Sequence, residues 1–152
     1  MRTYEDITPL MKSLGHALYK YTVIDRKDFD FGVGVNLFPA EIHMLEAINC
    51  RNGVGVTELA EEFGVTKGAI SQLINKLVKK ELVVKEPASD HKSRVVIRTT
   101  PKGKTACQNH REFHREHNKL FTQYLEQLDD KSFNTVVELT NQLNLWMDNY
   151  LK

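Results

Sequence analysis

Apolar positions recur every three or four residues along most of this chain, and the pattern is clearest between residues 56 and 79. That spacing predicts two short amphipathic helices separated by a tight turn at Gly64 and Val65. The first helix is expected to be capped by Thr57 and to end at Gly64, and the second is expected to be capped by Thr66. A helix, a turn and a helix in this order predict a helix-turn-helix.

The second helix of the pair, about residues 66–79, has two different faces. One face is apolar and can be buried, and it comprises Ile70, Leu73, Ile74 and Leu77. The other face is short, polar and basic, with no long acidic side chain. Such a face suits the major groove of DNA, because Ser, Gln and Asn reach base edges while Lys reaches phosphates. The alternative is a solvated surface helix, although such helices more often mix Glu with Lys.

Two β-rich runs follow, over residues 82–86 and 95–99, and they flank a polar loop that Pro87 opens. Two strands joined by a basic loop predict a wing over about residues 82–99, which would serve the flanking groove or the DNA backbone. The complete set of expected DNA contacts is Thr57, Thr66, Lys67, Gly68, Ser71, Gln72, Asn75, Lys76, Lys79, Lys92, Ser93 and Arg94.

Further helical patterns flank this core, which spans about residues 37–100. A first helix is expected to start at Thr8 and Pro9 and to run to about residue 28, and another is expected over 40–49. A long helix is expected from Pro101 to about residue 128, with a last helix after it. The predicted fold class is therefore mostly α with a small β-wing.

The outer helices carry more apolar surface than a winged core needs. Their apolar stripes lie within about residues 5–28 and 101–152. Such stripes require a second surface to cover them, and a two-fold interface between identical chains is the most economical choice. The sequence therefore predicts a homodimer with these segments as dimerisation helices.

Length and composition narrow the class of protein. A chain of 152 residues with 41% hydrophobic and 27% charged residues predicts one globular domain over residues 1–152. It has neither an apolar run of about 20 residues nor a signal-peptide core, so a cytoplasmic protein without membrane contact is expected. Two distant cysteines do not suggest a disulfide framework. Nucleotide loops, nucleophile elbows and paired-carboxylate motifs are missing from the sequence, so an enzyme is not expected.

The charge distribution favours a nucleic-acid partner, although the net charge is only +1. Residues 64–104 contain ten Lys and Arg against three Asp and Glu, a net +7, which leaves −6 for the rest of the chain. Positive charge is thus concentrated on the helix-turn-helix and the wing, where binding to phosphates requires it.

Three stretches together resemble the multiple antibiotic resistance regulator (MarR) family of winged-helix transcription factors. They are LAEEFGVTKGAISQLINKLVKKELV (59–83), the wing run DHKSR (90–94) and TPKGK (100–104). The wing is shorter and less arginine-rich than is usual in the family. The resemblance implies a homodimeric regulator, expected to be a repressor, which places two recognition helices in successive major grooves of a pseudo-palindromic operator. It also implies a small-molecule or metal effector held where the first, second and long helices meet.

Histidines on the long helix are candidate metal ligands. His110 and His114 lie one turn apart, a spacing that lets two imidazoles share an ion, and Cys107 and His117 fall on the same side. Resemblance to the zinc-sensing branch of the family implies a zinc site that adds a carboxylate and a histidine from the first two helices. The expected ligands are Asp25, His43, His110 and His114.

Other interpretations stay open at this point. Ile42 and Asn109 replace the acidic residues with which that branch builds a further metal site, so a second site is not expected. The histidines could instead pack, form hydrogen bonds or line a pocket for an organic ligand, and Cys107 could be a small buried apolar residue. A winged domain that binds protein rather than DNA is the rival function, and a metal-dependent hydrolase lacks a general base beside an open coordination position.

Overall fold

The computed structural model describes residues 1–88 and 95–151, which form six helices and four short strands. The chain divides into two compact units, residues 1–111 and 112–152, and the boundary falls inside the fifth helix. In chain order the elements are α1 (Tyr4–Ile24), β1 (Phe29–Asp30), β2 (Asn36–Leu37), α2 (Pro39–Asn49), α3 (Val56–Phe63), α4 (Lys67–Lys79), β3 (Val83–Pro87), β4 (Val95–Thr99), α5 (Pro101–Glu126) and α6 (Asp130–Leu151). Among the described residues, no helix combines the length and apolarity needed to cross a membrane.

The first unit contains the winged helix-turn-helix. Strands β3 and β4 pair antiparallel in a register that sets Val83 opposite Thr99, and a bridge from Val54 to Ile97 extends this sheet. Helices α2, α3 and α4 pack over it around a core of fully buried side chains, among them Leu45, Ile48, Leu59, Ile70, Ile74, Leu77 and Ile97. The expected fold class, mostly α with a small β-wing, is confirmed.

Glycine and threonine set the turn between α3 and α4. Gly64 adopts a left-handed conformation with φ +63°, which lets the chain reverse, and Val65 N–H donates to Ala60 O at 3.1 Å. Thr66 caps α4 by accepting a hydrogen bond from Ala69 N–H at 3.2 Å, as expected. The expected cap at Thr57 is wrong, because the N-cap is Gly55, two residues earlier, and α3 begins at Val56.

Helix α1 begins a turn before the expected Thr8 and Pro9. Thr3 and Asp6 form a reciprocal capping box, in which Asp6 N–H donates to Thr3 Oγ1 at 3.3 Å and Thr3 N–H donates to Asp6 Oδ2 at 2.8 Å. Pro9 therefore lies inside the helix, which ends at Ile24 rather than near residue 28. No residue of α1 is buried within the single chain.

Strands β1 and β2, of two residues each, pair antiparallel as a hairpin after α1. The Asp30 carboxylate accepts hydrogen bonds from Val33 N–H at 2.9 Å and Gly34 N–H at 3.1 Å, which closes the connecting turn. Asn109 Nδ2 on α5 donates to Phe31 O at 2.7 Å, so the hairpin is fastened to α5. This bond and the buried ring of Phe31 hold the hairpin in place.

The TPKG run forms the junction between the wing and α5. Thr100 Oγ1 accepts a hydrogen bond from Gly103 N–H at 3.0 Å and lies 2.8 Å from Glu81 O. Gly103 packs so closely that an added Cβ would lie 2.2 Å from Leu82 O. Only glycine fits at this position without moving backbone.

The second unit holds the remainder of α5 and α6. Asp129 caps α6 by accepting a hydrogen bond from Ser132 N–H at 2.7 Å, and this bond holds the pKa of the carboxyl below its usual range. Helix α6 has no buried residue within the single chain. Its exposed large apolar side chains are Phe133, Val137, Leu139, Leu145, Tyr150 and Leu151.

The close approach at Gly103 generates a stability prediction. Gly103→Ala should lower the free energy of unfolding by about 1 to 3 kcal/mol or more, because backbone must shift to admit the methyl group. Gly68→Ala is the matched control: it lies in α4 with no atom closer than 3.8 Å to an added Cβ, and it should be neutral or stabilising by up to about 1 kcal/mol. Urea denaturation of both variants measures the difference, and equal stabilities would contradict the steric account.

Candidate functional site

Helix α4 presents a polar and basic surface to solvent. The side chains of Ile70, Ile74 and Leu77 are buried beneath it. Most of the residues expected to contact DNA are exposed, namely Thr66, Lys67, Gly68, Gln72, Asn75, Lys76 and Lys79, and Ser71 is half-buried. Lys76 and Lys79 occupy the last turn, and the helix has no acidic residue in its first turn. Thr57 is exposed near the start of α3.

The wing strand touches this surface through one hydrogen bond. Lys85 Nζ on β3 donates to Asn75 Oδ1 on α4 at 2.8 Å. Sequence analysis missed this contact, because the two residues belong to elements whose relative placement only the fold defines. Asn75 keeps its amide N–H groups as donors, and Lys85 adds positive charge beside the helix. The expected wing residues Lys92, Ser93 and Arg94 lie outside the described residues.

A buried ion pair connects α2 to the end of α4. Glu41 is only 3% exposed, and Lys80, the C-terminal cap of α4, lies 2.7 Å from its carboxylate oxygens and donates to Asn36 O at 2.8 Å. Glu41 also accepts a hydrogen bond from Phe38 N–H at 2.9 Å. The charge is thus fully paired, as a buried carboxylate requires.

Two of the four expected metal ligands approach each other in the first unit. His43 on α2 and His110 on α5 have ring centroids 5.6 Å apart. His114 follows His110 by one turn of the continuous helix α5. Asp25 is the fourth expected ligand. It follows α1 and lines a pocket of about 470 Å³ to which His43 also contributes.

The surroundings of His110 fix its ring. His110 is 4% exposed, its Nδ1 lies 3.0 Å from Glu46 Oε1, and the ring of Phe31 meets it edge-on with centroids 5.0 Å apart. Sequence analysis missed both neighbours. The signal for Glu46 was present, since it lies three residues after His43 and therefore on the same side of α2.

Two further candidate residues lie on α5. His117 Nδ1 lies 2.8 Å from Phe113 O, and the two rings stack. Cys107 is buried, and its burial, followed by the charge of Glu46, raises the pKa of the thiol to about 11. Because zinc binds the thiolate, this thiol is a poor ligand at neutral pH. Its role as a small buried apolar residue fits this environment.

Comparison with known proteins finds a family resemblance over the DNA-binding core. A model described as the MarR family matches residues 36–93, which include the helix-turn-helix and the first wing strand. Over these residues the chain is similar to the MarR family. Two curated proteins have similar sequences. The uncharacterized HTH-type transcriptional regulator YhjH of Bacillus subtilis (strain 168) is 27% identical over 104 residues, which make up 68% of this chain and 59% of YhjH. PchR, an HTH-type transcriptional regulator of the same strain, is 22% identical over 67% of this chain and 60% of its own length. The matches therefore span about three fifths of each relative.

Solved structures of MarR-type proteins share the fold. A zinc-responsive MarR family member, ZitR of Lactococcus lactis, superposes with a TM-score of 0.72 at 14% identity and covers 93% of this chain and 99% of its own. FabT of Streptococcus pneumoniae in complex with DNA superposes with a TM-score of 0.67 at 16% identity, and the match covers 97% of this chain and 99% of FabT. At these identities the likeness establishes fold rather than ligand.

The contrast between the two thiols leads to a prediction. Cys50 is exposed, whereas a thiol of pKa about 11 is thiolate in roughly one molecule in ten thousand at pH 7. A disulfide reagent should therefore modify one thiol per chain quickly, and Cys107 should react faster only as the pH rises toward that pKa. Cys50→Ser should remove the fast phase and Cys107→Ser should preserve it. A fast phase that survives Cys50→Ser would contradict the assignment.

Proposed function

We propose that this chain is a MarR-type, sequence-specific DNA-binding transcriptional regulator, a ligand-responsive repressor that acts as a homodimer on a pseudo-palindromic operator. The observation that carries the proposal is the exposed, basic and acid-poor surface of α4, supported from below by a buried apolar face. Ser71, Gln72 and Asn75 reach base edges, and Lys76 and Lys79 neutralise phosphates. The rival role, a winged domain for protein contact, gives no reason for this concentration of cations.

The dimer is supported by apolar surface that a single chain leaves uncovered. Neither α1 nor α6 buries a residue within the chain. On α1 the exposed apolar side chains include Leu10, Met11, Leu18 and Val23. Contiguous apolar surface of this kind marks an association site, and identical chains associate most often through two-fold interfaces.

Gln72 tests the reading of bases. Gln72→Ala should relax the preference at one base step by about 1 to 3 kcal/mol, because the amide can pair with a base edge through two hydrogen bonds. Selection of binding sites from a random DNA pool, for wild type and variant, measures this preference. An unchanged selected sequence would remove Gln72 from the set of base contacts.

Lys76 tests the contact with phosphate. Lys76→Ala should weaken binding to all sequences by a similar factor and should reduce the slope of log affinity against log salt by about one. Lys131→Ala, at an exposed position in α6, removes the same charge elsewhere and should leave the slope unchanged. If both variants alter the slope equally, the effect is one of net charge rather than of α4.

As the effector we propose Zn²⁺, held by His43, His110 and His114. The donors fit, because zinc takes imidazole nitrogen and the rings of His43 and His110 have centroids 5.6 Å apart. Zinc would supply the charge and the fixed coordination that hold α2 against α5. Asp25 is the candidate carboxylate for a fourth position, since it and His43 border the same pocket.

An organic effector is the alternative. The pocket of about 470 Å³ is lined mostly by apolar side chains of α2, α3 and α4, among them Met44, Phe63, Ile70 and Leu73. A volume of this size suits a small ligand. Either effector acts by stabilising one placement of the recognition helices over another, and its differential affinity for the two states sets the size of the response.

The histidines test the choice of effector. In a competition titration with a chromophoric chelator, His114→Ala should lose most zinc affinity because one of three donors is removed, whereas His117→Ala should keep it. The same samples, with and without zinc, then report its effect on DNA binding by fluorescence anisotropy. Zinc binding that His114→Ala leaves unchanged would exclude this site and favour the organic effector.

A further inference from the structure

A polar cleft of about 320 Å³ lies beside the end of α2 and the start of α5, and all its lining residues belong to the first unit. They are Asn49, Arg51, Asn52, Arg98, Thr99 and Lys104. Three of these residues are cations, and no carboxylate lines the cleft within the described part of the chain. We propose that the cleft is an anion site for a phosphate group, carried by a free phosphate or by the DNA backbone. It lies outside the set of residues expected to contact DNA and does not depend on the zinc effector.

The Arg51 guanidinium is held in place by two partners. Its Nη1 donates to Ala47 O in the last turn of α2 at 2.6 Å, and its Nη2 lies 2.8 Å from Glu62 Oε2 on α3. A guanidinium carries five N–H donors in a rigid plane, and these two contacts use only part of them. The remaining N–H groups of Arg51 can donate to an anion in the cleft while the side chain keeps its position.

Arg98 is oriented in the same way from the wing. Its Nη1 donates to Asn52 Oδ1, and its Nε lies 3.2 Å from Glu86 Oε2 on the neighbouring strand. Gly53, with φ +99°, leaves room for the guanidinium, because an added Cβ there would lie 3.2 Å from Arg98 Cζ. The two contacts do not use the N–H groups of Nη2, and the Asn52 amide, which accepts through its oxygen, keeps its own N–H donors.

Lys104 and Thr99 add donors from the junction of β4 and α5. Lys104 is exposed, and its ammonium pairs with no carboxylate among residues 1–88 and 95–151. Thr99 Oγ1 is buried and, among the same residues, has no hydrogen-bond partner. A buried hydroxyl without a partner costs free energy, and an anion bound beside Thr99 can accept its O–H.

Hydrogen bonding rather than charge alone selects the ligand. Glu62 and Glu86 each pair with one arginine, so the three cations of the cleft keep one net positive charge. Such a charge attracts many anions weakly. A phosphate group presents several strong acceptor oxygens, which can take N–H donors from both arginines at once, and guanidinium groups match its geometry. The cleft therefore fits a phosphate better than chloride, which cannot bridge donors on three sides.

Titration of the free protein with sodium phosphate at constant ionic strength, with sodium chloride as the balancing salt, tests the site directly. In ¹H–¹⁵N spectra, the Nε–H signals of Arg51 and Arg98 should shift to saturation. Lys104→Ala should weaken this binding by about tenfold, the usual loss for one hydrogen bond to a charged group. Arg98→Lys keeps the charge, removes the planar fork of donors and should weaken binding as well.

Lys102→Ala is the matched control. It removes the same charge from the same turn of α5, but Lys102 lies 3.4 Å from Glu81 Oε2 and does not line the cleft. Phosphate binding should therefore stay as in wild type. Thermal unfolding of each variant confirms that folded proteins are compared.

Binding to a DNA duplex of random sequence distinguishes the two sources of phosphate. If the DNA backbone occupies the cleft, Lys104→Ala should lower the slope of log affinity against log salt by about one, and Lys102→Ala should not. If the ligand is a free phosphate, the titration saturates and the slope is the same in both variants.

One combination of results would overturn the proposal. It is a phosphate titration that does not saturate, or that is equal in Lys104→Ala and Lys102→Ala, together with equal salt slopes on DNA. Wild type that binds no DNA would instead refute the proposed regulator, and the phosphate titration would then decide on the cleft alone.

Discussion

The Glu41 carboxylate is buried in the first unit, and its ion pair with Lys80 offsets the cost of that burial. Removing an ion from water costs several kcal/mol, so a carboxylate that is 3% exposed must keep its partner. The pair joins α2 to the cap of α4, and Lys80 also binds the backbone at Asn36. Any rearrangement that separated α2 from α4 would leave the Glu41 carboxylate unpaired in an apolar interior. The recognition surface therefore moves with α2.

Helix α2 consequently serves two sites. Its first turn holds Glu41, which faces the end of the recognition helix, and His43 and Glu46 follow on the side that approaches His110. Under the proposed function, a ligand that fixed α2 against α5 would act on the same helix that supports α4. One helix of eleven residues would then touch both sites, so the proposed coupling would need no long chain of contacts.

Local chemistry made much of this predictable from sequence. The apolar face of α4, its Thr66 cap, the left-handed Gly64 and the pair of strands all follow from short-range patterns. The boundaries of α1 and the cap of α3 were wrong, because Thr3 with Asp6 and Gly55 compete successfully with the later Thr8 and Thr57. Capping preferences alone do not decide between N-cap residues when several of them lie within one or two turns of each other.

Long-range partners could not be predicted in the same way. The bond from Asn109 to Phe31 spans 78 residues, and the bond from Lys80 to Glu41 spans 39. No periodicity encodes such pairs, so the contact of Phe31 with His110 emerged only from the fold. The histidine spacing on α5 suggested chemistry, but spacing on one helix does not reveal which residues of other helices face it.

The hydrogen bond from Lys85 to Asn75 has a consequence for how an operator can vary. It joins the first wing strand to α4, so the two elements are held at one spacing. For the proposed homodimer, a half-site would then be recognised as one block of constant internal spacing. Tolerance for insertions or deletions in the operator would lie between half-sites and not inside a half-site.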